Sequence, residues 1–186
     1  MNSLNPEQLK AVRHTDGPLL IFAGAGTGKT RVLVHRAAHI LEVKNANPWN
    51  ILMVTFTNKA ADEMRERVNT LVPAGGDQVW IATFHSTCVR ILRRNIEKLG
   101  FRSDFVIYDD DDKGALLNRC IKELNLDTGR FKPGSVGYSI SLAKQELLGV
   151  EAFEERFFDP FKRVQAKVYR LYQDQLKNNH ALDFDD

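Results

Sequence analysis

Ala23-Gly24-Ala25-Gly26-Thr27-Gly28-Lys29-Thr30 is the stretch whose residue types and spacing can do chemistry. Its glycines let the backbone curl until several N–H groups point into one concavity, which suits a phosphate. Lys29 has the length to reach outer phosphates, and the Thr30 hydroxyl can ligate Mg²⁺. The strict phosphate-loop pattern begins with glycine, and Ala23 stands there instead. The flanks fit the motif. Pro18-Leu19-Leu20-Ile21-Phe22 reads as a buried strand, and Val32, Leu33, Ala37, Ile40 and Leu41 are spaced for the buried face of a helix. A loop between a strand and a helix receives the helix N-terminus and its partial positive charge. Loops of this kind serve kinases, motors, GTPases and transporters, so the loop alone does not name a reaction.

Two further segments combine hydroxyls, an aromatic ring and a helix start. Thr55-Phe56-Thr57-Asn58-Lys59-Ala60-Ala61 follows one apolar run, and Thr83-Phe84-His85-Ser86 follows another. Ligands of open α/β sheets bind outside such C-terminal strand ends. Hydroxyls and helix N–H groups suit phosphate oxygens, and a ring such as Phe56 or His85 can stack on an unpaired base. Arg65, Arg67, Arg90, Arg93 and Arg94 lie nearby in sequence and add positive charge.

The elements that must hold these groups are legible in part. Asn5 is placed as an N-cap with Pro6 at the first helical position, Gln8 as a capping-box partner, and Leu4 and Leu9 as a staple. Ile51 to Val54 and Val79 to Ala82 read as strands, with a helix from about Asn58 burying Ala60, Ala61, Met64, Val68 and Leu71. A basic helix carrying Val89, Leu92, Ile96 and Leu99 ends at Gly100. Phe105 to Tyr108 reads as a fourth strand, and Asp109 with Asp110 as a helix start rather than a metal-binding strand end. From Asp109 to Asp186 only helical periods are expected: Leu116, Cys120, Ile121, Leu124; then Val136, Ile140, Ala143, Leu147; then Phe161, Val164, Val168, Leu171. Strands alternating with helices indicate an α/β layer with a parallel sheet, here joined to an all-helical part. Asp183, Asp185 and Asp186 are expected to be solvated or to cap a helix rather than to bind a metal.

Composition sets the outer limits. The 186 residues are 43% hydrophobic and 27% charged, ordinary for a soluble globular protein. No apolar run approaches a membrane span, and Met1-Asn2-Ser3-Leu4-Asn5 lacks the basic and apolar regions of a leader. Cys88 and Cys120 sit among apolar helical positions and read as buried free thiols, which suits a reducing cytoplasm. Residues 1–100 hold 13 Lys and Arg against 8 Asp and Glu, and residues 101–186 hold 13 against 16. The basic bias of the loop-bearing half permits a polyanionic partner.

Taken in order, these segments resemble the motifs of UvrD/Rep/PcrA-type superfamily 1 DNA helicases. Leu4 to Gln8 resembles the family's adenine-recognising Q motif, Ala23 to Thr30 motif I, Thr55 to Met64 motif Ia, and Thr83 to Ser86 motif Ib. Leu182 to Asp186 resembles the segment that closes the helical subdomain. The resemblance implies an α/β fold, a RecA-like P-loop NTPase parallel sheet with an all-helical subdomain. Residues 1–108 would be the first motor domain and 109–186 the subdomain. It implies ATP and Mg²⁺ as cofactors, held by Gln8, Ala23, Gly24, Ala25, Gly26, Thr27, Gly28, Lys29, Thr30 and Arg31. Single-stranded or partly duplex DNA would be the partner, contacted by Phe56, Thr57, Asn58, Thr83, Phe84 and His85. The implied work is 3′-to-5′ translocation in DNA repair or replication. The family's acidic motif II and second motor domain have no counterpart in these residues, so negligible hydrolysis is expected from them alone. A helicase–nuclease subunit of the RecB/AddA type, a small P-loop kinase and a non-catalytic nucleic-acid-binding module are the competing readings.

Overall fold

The computed structural model describes residues 4–156 and 159–186. Met1-Asn2-Ser3, the start of the segment read as lacking a leader, lie outside the described residues. The chain forms two compact units, Met1–Val89 and Arg90–Asp186.

The first unit begins with α1 (Pro6–Arg13), and its start is built as its residues dictate. The Asn5 side chain accepts from the Gln8 N–H at 2.8 Å, while the Gln8 side chain accepts from the Asn5 N–H at 3.0 Å. This reciprocal box satisfies two helix-end donors, and such a cap contributes about 1 kcal/mol. After it come α2 (Lys29–Val43), β1 (Leu52–Thr55), α3 (Asn58–Leu71), β2 (Trp80–Thr83) and α4 (Phe84–Asn95), which runs on past Val89. The strands β1 and β2 pair in parallel, Leu52 with Trp80 through Thr55 with Thr83. That register turns Met53 and Ile81 to one face, where Val34 and Ala37 of α2 and Ala61, Met64 and Val68 of α3 cover them. Each fully buried aliphatic chain there contributes about 1.5–3 kcal/mol of transfer free energy.

Sequence expectations fail on both flanks of the glycine loop, and Leu71 of α3, expected buried, is exposed. Residues 18–22 do not form a strand, and they are not buried: Leu20 is 75% and Phe22 90% exposed. A strand exists only through a ladder partner, and β1 and β2 pair only with each other among the described residues. In α2 the buried face holds Val32, Val34 and Ala37, whereas Leu33 points outward. Apolar residues at three consecutive positions, Val32 to Val34, made the face ambiguous by periodicity. The parallel sheet is therefore small rather than a full layer.

The second unit contains β3 (Val106–Ile107), α5 (Asp110–Glu123), α6 (Pro133–Gln145), α7 (Val150–Arg156), α8 (Pro160–Asn178) and β4 (Ala181–Leu182). Asp109 caps α5 by accepting from the Asp111 and Asp112 N–H groups, so this acidic run is a helix start as expected. Leu116, Leu117, Cys120 and Ile121 of α5 meet Val136, Ile140 and Ala143 of α6 and Val168, Tyr169, Tyr172 and Leu176 of α8 in one core. Gly137 allows the close approach of α6 to α5, because a Cβ there would stand 2.9 Å from Leu117 Cδ1. Leu147 leaves the expected buried stripe. It follows the end of α6 with φ of 57° and is 92% exposed, while Leu148 N–H bonds back to the Ala143 carbonyl.

The expectation of no strand after Asp109 is corrected by β4, which pairs in parallel with β3, Val106 with Ala181 and Ile107 with Leu182. Two residues are too few to show alternation, so no sequence pattern announces it. The reading of both cysteines as buried is corrected too. Cys120 is buried, and burial pushes its thiol up to about 11, whereas Cys88 is exposed.

Asp183, Asp185 and Asp186 are neither solvated nor helix caps. Asp183 is buried and accepts from the Asp185 and Asp186 N–H groups, each at 3.0 Å, closing a tight turn. Lys144 of α6 pairs with Asp183 at 3.0 Å and Asp186 at 2.8 Å, and Lys113 of α5 pairs with Asp185 at 2.5 Å. The Tyr172 hydroxyl donates to Asp183 at 2.8 Å. Burial alone would raise the Asp183 carboxyl, but Lys144, Tyr172 and Lys113 outweigh it and hold the group below its ordinary value. Asp185 is likewise held down against burial, by Lys113 and Ser141.

Lowered carboxylates add stability that is complete above about pH 4 and disappears as pH falls through their folded values. Lys144→Met leaves Asp183 buried without its nearest cation and is expected to cost about 3 kcal/mol. Urea unfolding followed by near-ultraviolet tyrosine signals, which arise only in this unit, measures that loss. The loss should shrink as pH falls below about 4. A thiol reagent should label Cys88 in the native chain and reach Cys120 only after unfolding.

Candidate functional site

The glycine loop opens directly into α2. Gly26 and Gly28 have φ of 74° and 87°, a region L side chains rarely enter, and Gly28 is the residue that caps α2. No side chain caps this helix start and no acid sits in its first turn. No side chain of the helix start thus takes up its leading N–H groups, an arrangement that suits an anion. The Lys29 ammonium folds back on the loop, donating to the carbonyls of Ala23 at 3.0 Å and Gly24 at 2.7 Å. The Thr27 hydroxyl donates to the Gly24 carbonyl at 2.8 Å. Gly26, Thr27, Gly28, Lys29, Thr30, Arg31 and Arg67 line a cleft of about 570 Å³. Ala23, Gly24 and Ala25 are exposed at its approach.

Gln8, expected at the adenine edge, and Arg31, expected to flank the nucleotide, come to the same place. Gln8 Nε2 donates to the Thr27 carbonyl at 2.9 Å, and Arg31 Nη2 donates to Gln8 Oε1 at 3.3 Å. Sequence reading missed Arg67. It was grouped with the arginines beside the strand ends, yet it lines the loop cleft and a second cavity of about 280 Å³ with Arg31, Val34, His35, Thr70 and Leu71. The signal was the α3 period, since Arg67, Thr70 and Leu71 are spaced as one helical face. Burial lowers the His35 pKa, and the nearby Arg31 charge adds to that. The cleft is cationic, which favours an anion.

The strand-end segments also meet. Because Thr55 lies opposite Thr83, the residues after them are neighbours, and the Phe56 and Phe84 rings stand 5.3 Å apart, tilted by 43°. Phe56 is 89% exposed and Phe84 46%. The threonines are occupied locally. The Thr57 hydroxyl caps α3 by accepting from the Ala60 N–H at 3.2 Å, and Thr83 is buried, accepting from the Ser86 N–H at 3.2 Å. Asn58 and His85 are on the surface at the starts of α3 and α4. Arg65 is tied down, bonded to Asp62 at 2.6 Å and to the Ile81 carbonyl at 3.0 Å. In the second unit the Arg93 guanidinium donates to the Ser103 carbonyl and lies over the Phe105 ring.

Among the described residues no group of three or more His, Cys, Asp or Glu side chains is arranged to hold a metal ion. Nor is any helix of the described residues long and apolar enough to cross a membrane.

Comparison with known proteins follows the same lines. A family model described as the UvrD/REP helicase N-terminal domain matches residues 4–186. The chain is 50% identical over its whole length to the ATP-dependent DNA helicase PcrA of Bacillus subtilis, covering 25% of that protein. It is 47% identical to the protein of the same name from Staphylococcus epidermidis and 46% to that from Staphylococcus aureus, covering 26% of each. The chain thus spans about a quarter of the length of these relatives.

The two positive-φ glycines separate strain from contact. A Cβ at Gly28 would stand 3.2 Å from Gln8 Nε2, while a Cβ at Gly26 meets nothing within 4 Å. Gly26→Ala should cost about 1–2 kcal/mol for the left-handed backbone alone. Gly28→Ala should cost more, because Gln8 must also move. Both tryptophans, Trp49 and Trp80, lie in the first unit, so fluorescence-detected urea unfolding reads the difference.

Proposed function

Because the chain belongs to the UvrD/REP helicase N-terminal domain family, we propose that it is the ATP- and DNA-binding N-terminal part of a DNA helicase. The parent would translocate 3′ to 5′ along single-stranded DNA, in the cytoplasm, during repair or replication. The observation that carries this reading is the glycine loop that ends in left-handed Gly28, with Lys29 and an uncapped α2 start facing one cleft. Loop N–H groups and the Lys29 ammonium would take the phosphates, and Thr30 would hold Mg²⁺. Lys29 would exchange its two loop carbonyls for phosphate oxygens. Arg31 and Arg67 would flank the nucleotide. Bound Mg²⁺ would supply charge stabilisation at the transferring phosphoryl group.

The exposed Phe56–Phe84 pair would be the platform for unpaired bases, with Asn58 and His85 beside it. Thr57 and Thr83 would act by shaping the two helix starts, since their hydroxyls already cap α3 and α4. Residues 1–108 would form the motor domain and 109–186 its helical subdomain. The chain alone would bind nucleotide weakly and hydrolyse it negligibly, because it supplies only Lys29 and Thr30 of the groups that phosphoryl transfer needs. The relatives' names lend nothing to a nuclease or a non-catalytic module.

Titration calorimetry with Mg²⁺ and a non-hydrolysable ATP analogue, and anisotropy with labelled oligo-dT across a salt series, test both halves. Lys29→Ala should abolish measurable nucleotide binding and leave oligo-dT binding in place. Phe56→Ala should weaken oligo-dT by about tenfold or more without changing nucleotide binding. Nucleotide binding that survives Lys29→Ala, or oligo-dT binding indifferent to both Phe56 and salt, would contradict the reading.

A further inference from the structure

We propose that His35 and His39, four residues apart on α2, form a two-imidazole site for a transition-metal ion of the Zn²⁺, Ni²⁺ and Cu²⁺ class. The inference goes beyond the nucleotide reading and does not depend on it, since neither histidine lines the loop cleft. Side chains four apart on a helix are surface neighbours, with Cβ atoms about 5–6 Å apart, so two imidazoles there can close on one ion. Zinc sits roughly 2.0–2.1 Å from each imidazole nitrogen, and helical histidines at this spacing reach it. His14, His85 and His180, the other histidines of the chain, have no partner at that spacing. His35 and His39 are both half-buried. His39 Nδ1 is shielded from solvent and has no hydrogen-bond partner among the described residues. A ring nitrogen in that condition calls for a partner, and a metal ion takes its lone pair without breaking a bond to the protein.

The surroundings select the kind of ion. His35 opens on the cavity of about 280 Å³ that Thr70 and Leu71 of α3 also line. That space has room for the waters that complete the coordination of an ion with two protein donors. The last turns of α2 and α3 hold no basic side chain, so the partial negative charge of their terminal carbonyls is not offset there. Glu42 follows His39 by three residues and adds a carboxylate on the same helix. Against these stand Arg31 and Arg67, which share the cavity with His35 and repel a cation held by charge alone. Mg²⁺ and Ca²⁺ need several oxygen ligands, and no acidic cluster among the described residues supplies them. The favoured ion is one that bonds imidazole nitrogen directly, and Cu²⁺ leads the divalent series on such donors. With two protein donors the site is open and exchangeable rather than a closed structural one.

The test uses the 186-residue chain without nucleotide, with Cys88 alkylated so that its exposed thiol does not compete for the ion. Calorimetry with Zn²⁺ should show one site per chain, and an about hundredfold excess of Mg²⁺ should not displace the ion. His35→Gln and His39→Gln should each lower Zn²⁺ affinity by about tenfold or more, since a direct ligand is worth at least as much as an outer partner. The double variant should lose little beyond either single one. A substitution that loosens α2 would mimic this loss, so the wild-type chain is also read by electron spin-echo spectroscopy with one equivalent of Cu²⁺. That signal counts coordinated imidazoles without any variant, and the expected count is two. A single coordinated imidazole, Zn²⁺ affinity in either variant equal to wild type, or displacement by Mg²⁺ would each overturn the proposal.

Discussion

Met53 and Ile81 can both face α2 and α3 only when Leu52 lies beside Trp80 and Thr55 beside Thr83. Side chains alternate along a strand, so a slip of β1 by one residue would turn Met53 to the opposite face and bring Leu52 and Val54 inward. Burial at Met53, Ile81, Met64 and Val68 therefore fixes the register, and the register fixes the surface. The strand ends become level, and Phe56 meets Phe84. Thr57 and Thr83 cap the helices that follow. An exposed aromatic pair is thus the far end of a packing decision made several residues earlier in each strand.

The second unit obeys a different constraint. Its helices bury apolar stripes in the ordinary way, but Lys144 and Asp183 are buried with them. A lone buried charge is costly, and these are tolerated because the turn closed by Asp183 collects two lysines and a tyrosine hydroxyl around its carboxylates. Such an arrangement favours one docking of residues 181–186 over others, since any shift would strand a charge. The short β3–β4 pairing gains its definition from this neighbour more than from its few backbone bonds.

Much of this was legible in the residues. Start signals are local, so the Asn5–Gln8 box, the Asp109 cap and the glycine loop could be read and are present. The strands at 52–55 and 80–83 were visible as apolar runs. What could not be read depends on partners distant in sequence. Whether 18–22 is a strand is decided by a ladder neighbour, and whether Ala181-Leu182 is one is decided by Val106-Ile107. The bonds from Gln8 to Thr27 and Arg31, the position of Arg67 and the lysine partners of the aspartates belong to the same class. Types and spacing name the groups that could act, while tertiary contact decides which are already engaged.

The run from Leu19 to Phe22 has a consequence of its own. It is apolar and largely exposed, and its N–H and C=O groups stand outside both ladders. A backbone in that condition is a template on which another extended chain can add, with Leu20 and Phe22 supplying adhesive side chains. Pro18, which has no N–H, and the turn at Gly17 bound the sticky part at one end, as gatekeeping residues do. Such a segment adds an attraction between copies that a net charge of +2 opposes only weakly.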